Sequence, residues 1–393
     1  MATEYHGVGK NFYLDFKVND KQLVTSNINH LTIREWILDI VPRIDFTLND
    51  DGVLSEIFPL VEGDKISIRL AKHINDTNPI VNNFELQDYL VGTAMGNKFL
   101  QIKGAGALQL KDIYTPKRNR SFKNKNSLQV FKQIAGESGA SYSEALNLHT
   151  NDLMTWYQIF QSNHDFLKHV LKRSFRAGDT LFVYFDLEGN MKVTSLNTLT
   201  SQGITREARF SIEKYSEEEF NDKADINTLW FNSWNISSMA GYLNKTGAYG
   251  TEYGYYDGSK GFKSKVLSSN NLTLTDNPNK QADRIGQITK HISFGYLNDK
   301  NVYGDYFKAQ ANNDYLKNNF LSGIMLDINV NALCPVNIGD MVNAYIPSTL
   351  QAGYNAVMSG KYIVFGIIHE PSNDVYRKRV ILFRNGLNRS MIA

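Results

Sequence analysis

One stretch of this chain is written twice. Near the end, Gly339-Asp340 opens an alternating strand that runs to Ile346, followed by an apolar strand from Lys361 through His369 to Glu370 and a third from Tyr376 to Arg384. Near the start, Gly63-Asp64 opens Lys65 to Leu70, followed by Asn83 to Gly92 and by Asn97 to Gly104. Gly and Asp form turns and the alternating Val, Ile and Tyr suit a half-buried sheet, so each copy predicts a turn feeding a run of strands. Two copies of one β-unit in a chain let three chains present six near-equivalent positions, which joins threefold to sixfold assemblies. An adaptor requires that; an enzyme does not.

Length and charge narrow the classes further. With 393 residues the chain exceeds what one hydrophobic core supports, so two to four domains are expected. Its 42 Lys and Arg nearly cancel its 40 Asp and Glu, which excludes a surface built throughout to grip nucleic acid or an anionic membrane. The single cysteine, Cys334, sits in the apolar stretch Leu333 to Val336 and reads as a buried, inert thiol in a reducing compartment. The N-terminus lacks the apolar core of a signal peptide, and the longest apolar run, Tyr362 to Ile368, is too short to span a bilayer. Neither secretion nor stable membrane insertion is expected.

The pattern predicts a mainly β, α+β protein. In residues 1–113, Phe12, Leu14, Phe16 and Val18 alternate with polar residues into an Asn19-Asp20 turn, Ile44, Phe46 and Leu48 precede a turn over Asn49 to Gly52, and Ile66, Ile68 and Leu70 give another strand. Residues 114–205 read as an α+β domain. Its basic start, with Lys117, Arg118, Arg120 and Lys123 around Phe122, reads as an exposed linker able to touch phosphates or an acidic partner. A helix carries Leu128, Phe131, Ile134 and Ala135 and ends at Gly136 or Gly139. A second, capped by Ser162 or Asn163, buries Phe166, Leu167, Val170 and Leu171, places Lys172, Arg173 and Arg176 in its last turn and breaks at Gly178-Asp179. A hairpin from Thr180 to Thr194 follows, turning at Glu188 to Asn190. Residues 206–235 and 321–393 form a second β-domain, with Leu229 to Trp234 as partner strand to the one containing Phe210 and Ile212. It is interrupted by an irregular Tyr/Gly/Asn-rich insertion, 236–320, with a helix over Asp305 to Phe320 before the final strands.

Catalytic and metal signatures fail on inspection. His369-Glu370 runs into Pro371 and lacks a second histidine, Ser211 and Lys214 fall on opposite faces of a strand, and His164 and His169 are spaced as ordinary helix surface residues. No cofactor is expected. Two features keep rival readings open. The tyrosine-rich stretch 242–256, with Tyr249, Tyr253 and Tyr255, suits a receptor- or carbohydrate-binding protein, because tyrosine offers apolar area with a polar tip. Glu137 and the acidic cluster 217–222 are the only candidates for the paired carboxylates of a polysaccharide or cell-wall hydrolase.

The order of parts resembles the baseplate hub protein of contractile-tailed bacteriophages, which is similar to the hub part of type VI secretion spike proteins and to late-control tail proteins of temperate phages. The residues carrying the resemblance are Asn163-His-Asp-Phe-Leu-Lys-His-Val-Leu ahead of the Gly178-Asp179 hairpin, then Gly339-Asp340-x-Val, Gly360-Lys-Tyr-Ile-Val-Phe-Gly-Ile-Ile-His369-Glu and Arg379-Val-Ile-Leu-Phe-Arg384. It spans nearly the whole chain except 241–262. The resemblance implies two tube-type β-barrel domains per chain and a homotrimeric, pseudo-hexameric ring. That ring would sit between a hexameric tail tube and a trimeric spike, in contact with other baseplate proteins. Genomic DNA would pass through it non-specifically, and it would be assembled in the host cytoplasm into the virion tail. It further implies ring-core or seam roles for Ile66, Ile68, Leu70, Val342, Ala344 and Ile346, and a spike on a separate chain.

Overall fold

The computed structural model describes residues 7–9, 12–23, 27–50, 59–71, 79–93, 100–176, 178–211, 227–238, 252–257, 261–266, 289–294, 323–331, 334–349, 352–371 and 376–386. The first part of the chain is all strand: β1 (Gly7–Gly9), β2 (Phe12–Val18), β3 (Lys21–Gln22), β4 (Ile28–Trp36), β5 (Arg43–Asp50), β6 (Lys65–Ala71), β7 (Ile80–Thr93) and β8 (Leu100–Leu108). They pair in the order β2-β6-β7-β8-β5-β4, every ladder antiparallel. The alternation places Phe16, Ile33, Ile44, Phe46, Ile66, Ile68, Phe84 and Ile102 in one interior, each at most 2 % exposed. Asn19 and Asp20, at φ 48° and 64°, make the tight turn between β2 and β3. Of the turn expected over Asn49 to Gly52, Asn49 and Asp50 instead continue β5 opposite β8, with the Asn49 amide bonding that of Asn29 on β4, and 51–52 lie outside the described residues.

Between the β-parts lie β9 (Arg118–Lys125), α1 (Ser127–Glu137), β10 (Tyr142–Glu144), β11 (Met154–Gln161), α2 (Asn163–Arg173), β12 (Leu181–Phe185), β13 (Met191–Ser195) and α3 (Leu196–Ser201). Asn126 caps α1 through a reciprocal bond with Gln129, and Ser162 caps α2 by accepting from the Asp165 N–H at 3.1 Å. The second helix stops one turn earlier than its basic residues suggest. The fully buried Asp152 carboxylate accepts from the N–H of Ser127 (3.0 Å) and of Phe175 (2.9 Å), drawing the chain after Ser174 into extended conformation. Arg176 therefore lies outside α2, beside Asp179.

The five residues of β12 are all buried, and its two faces serve different interiors. Leu181, Val183 and Phe185 join the core that the first β-part shares with α1 and α2, whereas Phe182 and Tyr184 join that of the second β-part. A strand buried on both sides reads as a continuous apolar run, as this one does. Its backbone and side chains tie the same two places: the Phe185 N–H donates to Ile40 O at 2.7 Å, and the Tyr184 hydroxyl donates to Ile338 O at 3.1 Å.

The last part contains β14 (Arg206–Phe210), β15 (Thr228–Ser238), β16 (Glu252–Asp257), β17 (Gly261–Val266), β18 (Thr289–Phe294), β19 (Ile324–Asn331), β20 (Met341–Tyr345), β21 (Gly360–Pro371) and β22 (Tyr376–Arg384). Six of them close into a barrel in the order β14-β20-β21-β22-β19-β15 and back to β14. β15 is the partner strand expected for β14, but the two run parallel. Within the insertion, expected to be irregular, β16 to β18 form a separate three-stranded sheet. The helix expected over 305–320 lies outside the described residues.

The written repeat is a structural repeat down to single bonds. Gly63 (φ 94°) donates to Leu86 O at 2.8 Å, Leu86 returns a bond to Asp64 O at 2.8 Å, and the Asp64 carboxylate accepts from Val61 N–H at 2.8 Å. Gly339 (φ 88°) donates to Val364 O at 2.8 Å, Val364 returns a bond to Asp340 O at 2.9 Å, and the Asp340 carboxylate accepts from Asn337 N–H at 3.0 Å. Both glycines hold the left-handed conformation that side chains disfavour. One residue further on, both second strands slip register, between Leu86 and Asp88 in one copy and between Val364 and Gly366 in the other. A common turn-to-strand entry does not produce a bulge at a matched position twenty-odd residues later. Thus β6, β7, β8, β5 and β4 correspond to β20, β21, β22, β19 and β15.

Candidate assembly surface

The two β-parts are joined edge to edge. The start of β21 pairs with β20, from Ala344 opposite Gly360 to Met341 opposite Ile363, and beyond the bulge the same edge passes to β4, with Gly366 opposite Trp36 and His369 opposite Ile33. The Ile37 N–H donates to Phe365 O at 3.0 Å, and the Trp36 ring meets Phe365 edge-on at 6.0 Å. A Cβ on Gly366 would lie 3.1 Å from the Trp36 ring, so any side chain here would have to push that ring aside. From Tyr362 to His369 every residue of β21 is buried.

A polar group is sealed into that seam. His369 is 3 % exposed, with Nδ1 2.6 Å from the Tyr376 hydroxyl and Nε2 3.5 Å from Glu35 Oε1. Burial holds the imidazole below its ordinary value and the Tyr376 phenol above its own, so the phenol donates to Nδ1 of a neutral ring and Nε2–H faces Glu35. Glu35 also accepts from Leu187 N–H at 3.2 Å, which brings the middle module to the same point. Lys378, pushed down by burial, donates to Cys334 O at 2.8 Å. The thiol beneath it is buried and raised to about 11, which makes it unreactive.

The matching stretch of the first copy is bare among the described residues. β7 pairs with β6 as far as Glu85 and with β8 as far as Thr93, so beyond its bulge one edge meets no strand among the described residues. Gln87 to Thr93 are exposed on both faces, including Tyr89 at 37 %, Leu90 at 66 % and Val91 at 40 %. β15 has a bare edge as well. β14 covers it only from Thr228 to Phe231, and the remainder to Ser238 is paired on the β19 side alone among the described residues.

The six residues expected at ring core or seam, Ile66, Ile68, Leu70, Val342, Ala344 and Ile346, are all interior, at 2 % exposure or less. The expected basic linker is instead β9, paired with β11. Arg118 lies 2.9 Å from Asp112 and 3.2 Å from Glu137; Arg120 reaches Glu137 at 2.8 Å and Gln158 at 2.7 Å and covers the Phe122 ring. These arginines are internal ties rather than a free patch, while Lys117 and Lys123 remain exposed. The signal was present as a period of two, with Arg118, Arg120 and Phe122 turned inward. Burial alone would raise the Glu137 carboxyl, but hydrogen bonds from Arg120 and Gln133 outweigh it and hold the group below the usual carboxylate range, opposite to what a general acid needs. His164 and His169, expected on the surface, are half-buried against Tyr114 and Phe166, and burial lowers both. Tyr253 and Tyr255 fall on β16; Tyr249 and 217–222 lie outside the described residues.

No family model and no curated protein matches the sequence. Solved structures do match its fold. The 43 kDa tail protein of prophage MuSo2 from Shewanella oneidensis superposes with a TM-score of 0.57 at 10 % identity, over 95 % of this chain and 98 % of that one. The tail protein from Neisseria meningitidis MC58 gives 0.55 at 12 % identity, over 95 % and 97 %. A component of the type VI secretion system of E. coli gives 0.47 at 10 % identity, over 94 % and 76 %. The mainly β, α+β architecture expected from the sequence is therefore the one these two tail proteins have from end to end.

Proposed function

We propose that this chain is a structural tail protein, the hub subunit of a baseplate, three copies of which close a ring of six β-barrel units between a hexameric tail tube and a trimeric spike. The observation that carries the reading is the repeat itself, with its matched turn bonds and its matched bulge. Two near-equivalent β-units held edge to edge in one chain give two of the six sites a sixfold partner needs, so three chains supply all six and keep threefold symmetry for the other face. The end-to-end fold match to two tail proteins supports the same role. In this reading the chain performs no catalysis, other baseplate proteins pack around the ring, DNA passes through without base-specific contact, and the protein resides in the virion tail after assembly in the host cytoplasm. Light scattering across a concentration series tests it. A mass of three chains, with six similar lobes in particle images, is expected; a mass fixed at one chain at every concentration overturns it.

A further inference from the structure

The hub reading gives the number of copies, and the repeat adds how they join. Within the chain, the end of β4 lies along the β21 edge just past the bulge. Each of these strands has a counterpart: β15 for β4, and β7 for β21. The chain uses the first pair of edges and, among the described residues, leaves the second pair bare. We propose that the bare edge of β7 in one copy takes the end of β15 from a second copy, as an antiparallel seam with Val91 opposite Ile236, Leu90 opposite Ser237 and Tyr89 opposite Ser238.

The register follows from the ladders already described. Leu86 and Val364 hold the same place in the matched turns, so Leu90 corresponds to Ile368 and Val91 to His369. On the other side, Ile33 faces Ile44, which faces Gly106, and Ile236 faces Leu326, which lies beside Leu382; Gly106 and Leu382 are opposite Leu86 and Val364. Ile33 thus corresponds to Ile236 and Arg34 to Ser237. His369 opposite Ile33 and Ile368 opposite Arg34 then transfer directly to the new pairs.

Burial agrees. Ile367, within the core of the second β-part, and Ile368 are 2 % and 7 % exposed where β21 runs beside β4, whereas the corresponding Tyr89 and Leu90 are 37 % and 66 % exposed. This edge, unpaired among the described residues, carries an exposed aromatic and two aliphatic side chains, with no proline and with Asp88 as its one charge between Gln87 and Thr93, so it has little of what isolated edges use to avoid association. A second copy is the occupant the chain itself specifies, since it already contains that contact once. The contact is heterologous, β15 of each copy to β7 of the next, so it closes a ring or grows a filament according to its rotation. Repetition of the internal step at every junction is what makes six units near-equivalent.

The seam rests on the hub reading for the count of three, and the experiment separates the two. The full chain carrying both L90C and S237C is treated with a short bismaleimide under native conditions and run on a denaturing gel; both positions are exposed, and buried Cys334 stays silent. A covalent ladder ending at three chains, absent from either single variant, is expected. A trimer by light scattering without that ladder overturns the seam and leaves the ring reading standing. A ladder running past three supports the seam and overturns the three-copy ring. Cross-linked dimers from L90C alone overturn the seam in favour of a β7-to-β7 contact, and a monomer without any ladder overturns both.

Discussion

Val364 to Pro371 and Leu86 to Thr93 follow the same turn, bulge at the same step and pair with the same kind of third strand, yet one is interior and the other is bare. Local sequence accounts for part of the difference. The covered copy has Phe365, Gly366, Ile367 and Ile368 where the bare copy has Gln87, Asp88, Tyr89 and Leu90. The second set is amphipathic, compatible with water before contact and with a partner after it. The first has no soluble alternative and is buried as the chain folds. Equal backbones can therefore be committed at different stages, one during folding and one during association, by side chains alone.

The largest test of that contrast is a charge placed at corresponding positions. Ile367→Asp buries an unpaired carboxylate and is expected to cost about 4 kcal/mol, whereas Tyr89→Asp changes the stability of the single chain by no more than about 0.5 kcal/mol. Denaturant melts of the two variants compare them directly. Equal losses would mean that the β7 edge is already covered within one chain. Next come the paired glycines. Gly63→Ala should cost about 1 kcal/mol for the left-handed backbone alone, and Gly339→Ala should cost roughly 1 kcal/mol more, because its new Cβ meets Leu199 at 3.1 Å while nothing lies within 4 Å at Gly63. Thermal melts that rank them the other way would break the equivalence of the turns. The smallest effect is a pH dependence confined to one seam. His369 has a folded value below its unfolded one, so its contribution is complete above the ordinary histidine range and is lost as the pH falls through it. The melting temperature of the wild type should drop on acidification through that range and that of His369→Gln should drop less. Val91, its counterpart, carries no such titration, so self-association should be less sensitive to the same change.

Much of the framework was legible. The alternation in β2, β5 and β6 and the Gly-Asp turns stood in plain sequence, because a half-buried strand displays its period and a left-handed turn displays its glycine. A helix start at Ser162 or Asn163 was legible because Asp165 and the apolar stripe follow, and the Asp165 N–H bond to the Ser162 hydroxyl decides between the two. What escaped reading depended on distant partners. β9 looked like a linker because its inward face carries Arg118 and Arg120, whose carboxylate partner Glu137 lies on α1. The end of α2 was misplaced because Asp152, outside the helix, decides it. The parallel sense of β14 and β15 is a property of the path between them, to which no side-chain pattern in either strand corresponds. The bare edges of β7 and β15 needed the ladders, since a strand paired on one side and a strand paired on two share one alphabet.

The two-faced strand β12 has a mechanical consequence. Leu181, Val183 and Phe185 are anchored in the core that the first β-part shares with α1 and α2, and Phe182 and Tyr184 in the core of the second, so the two β-parts cannot hinge apart without stripping aromatic side chains from a core at about 3–5 kcal/mol for each large one exposed. A load applied at one β-part is thus carried to the other through packed side chains rather than through a loop. The chain behaves as a single stiff segment, and the compliance of anything built from it is concentrated at the junctions between copies.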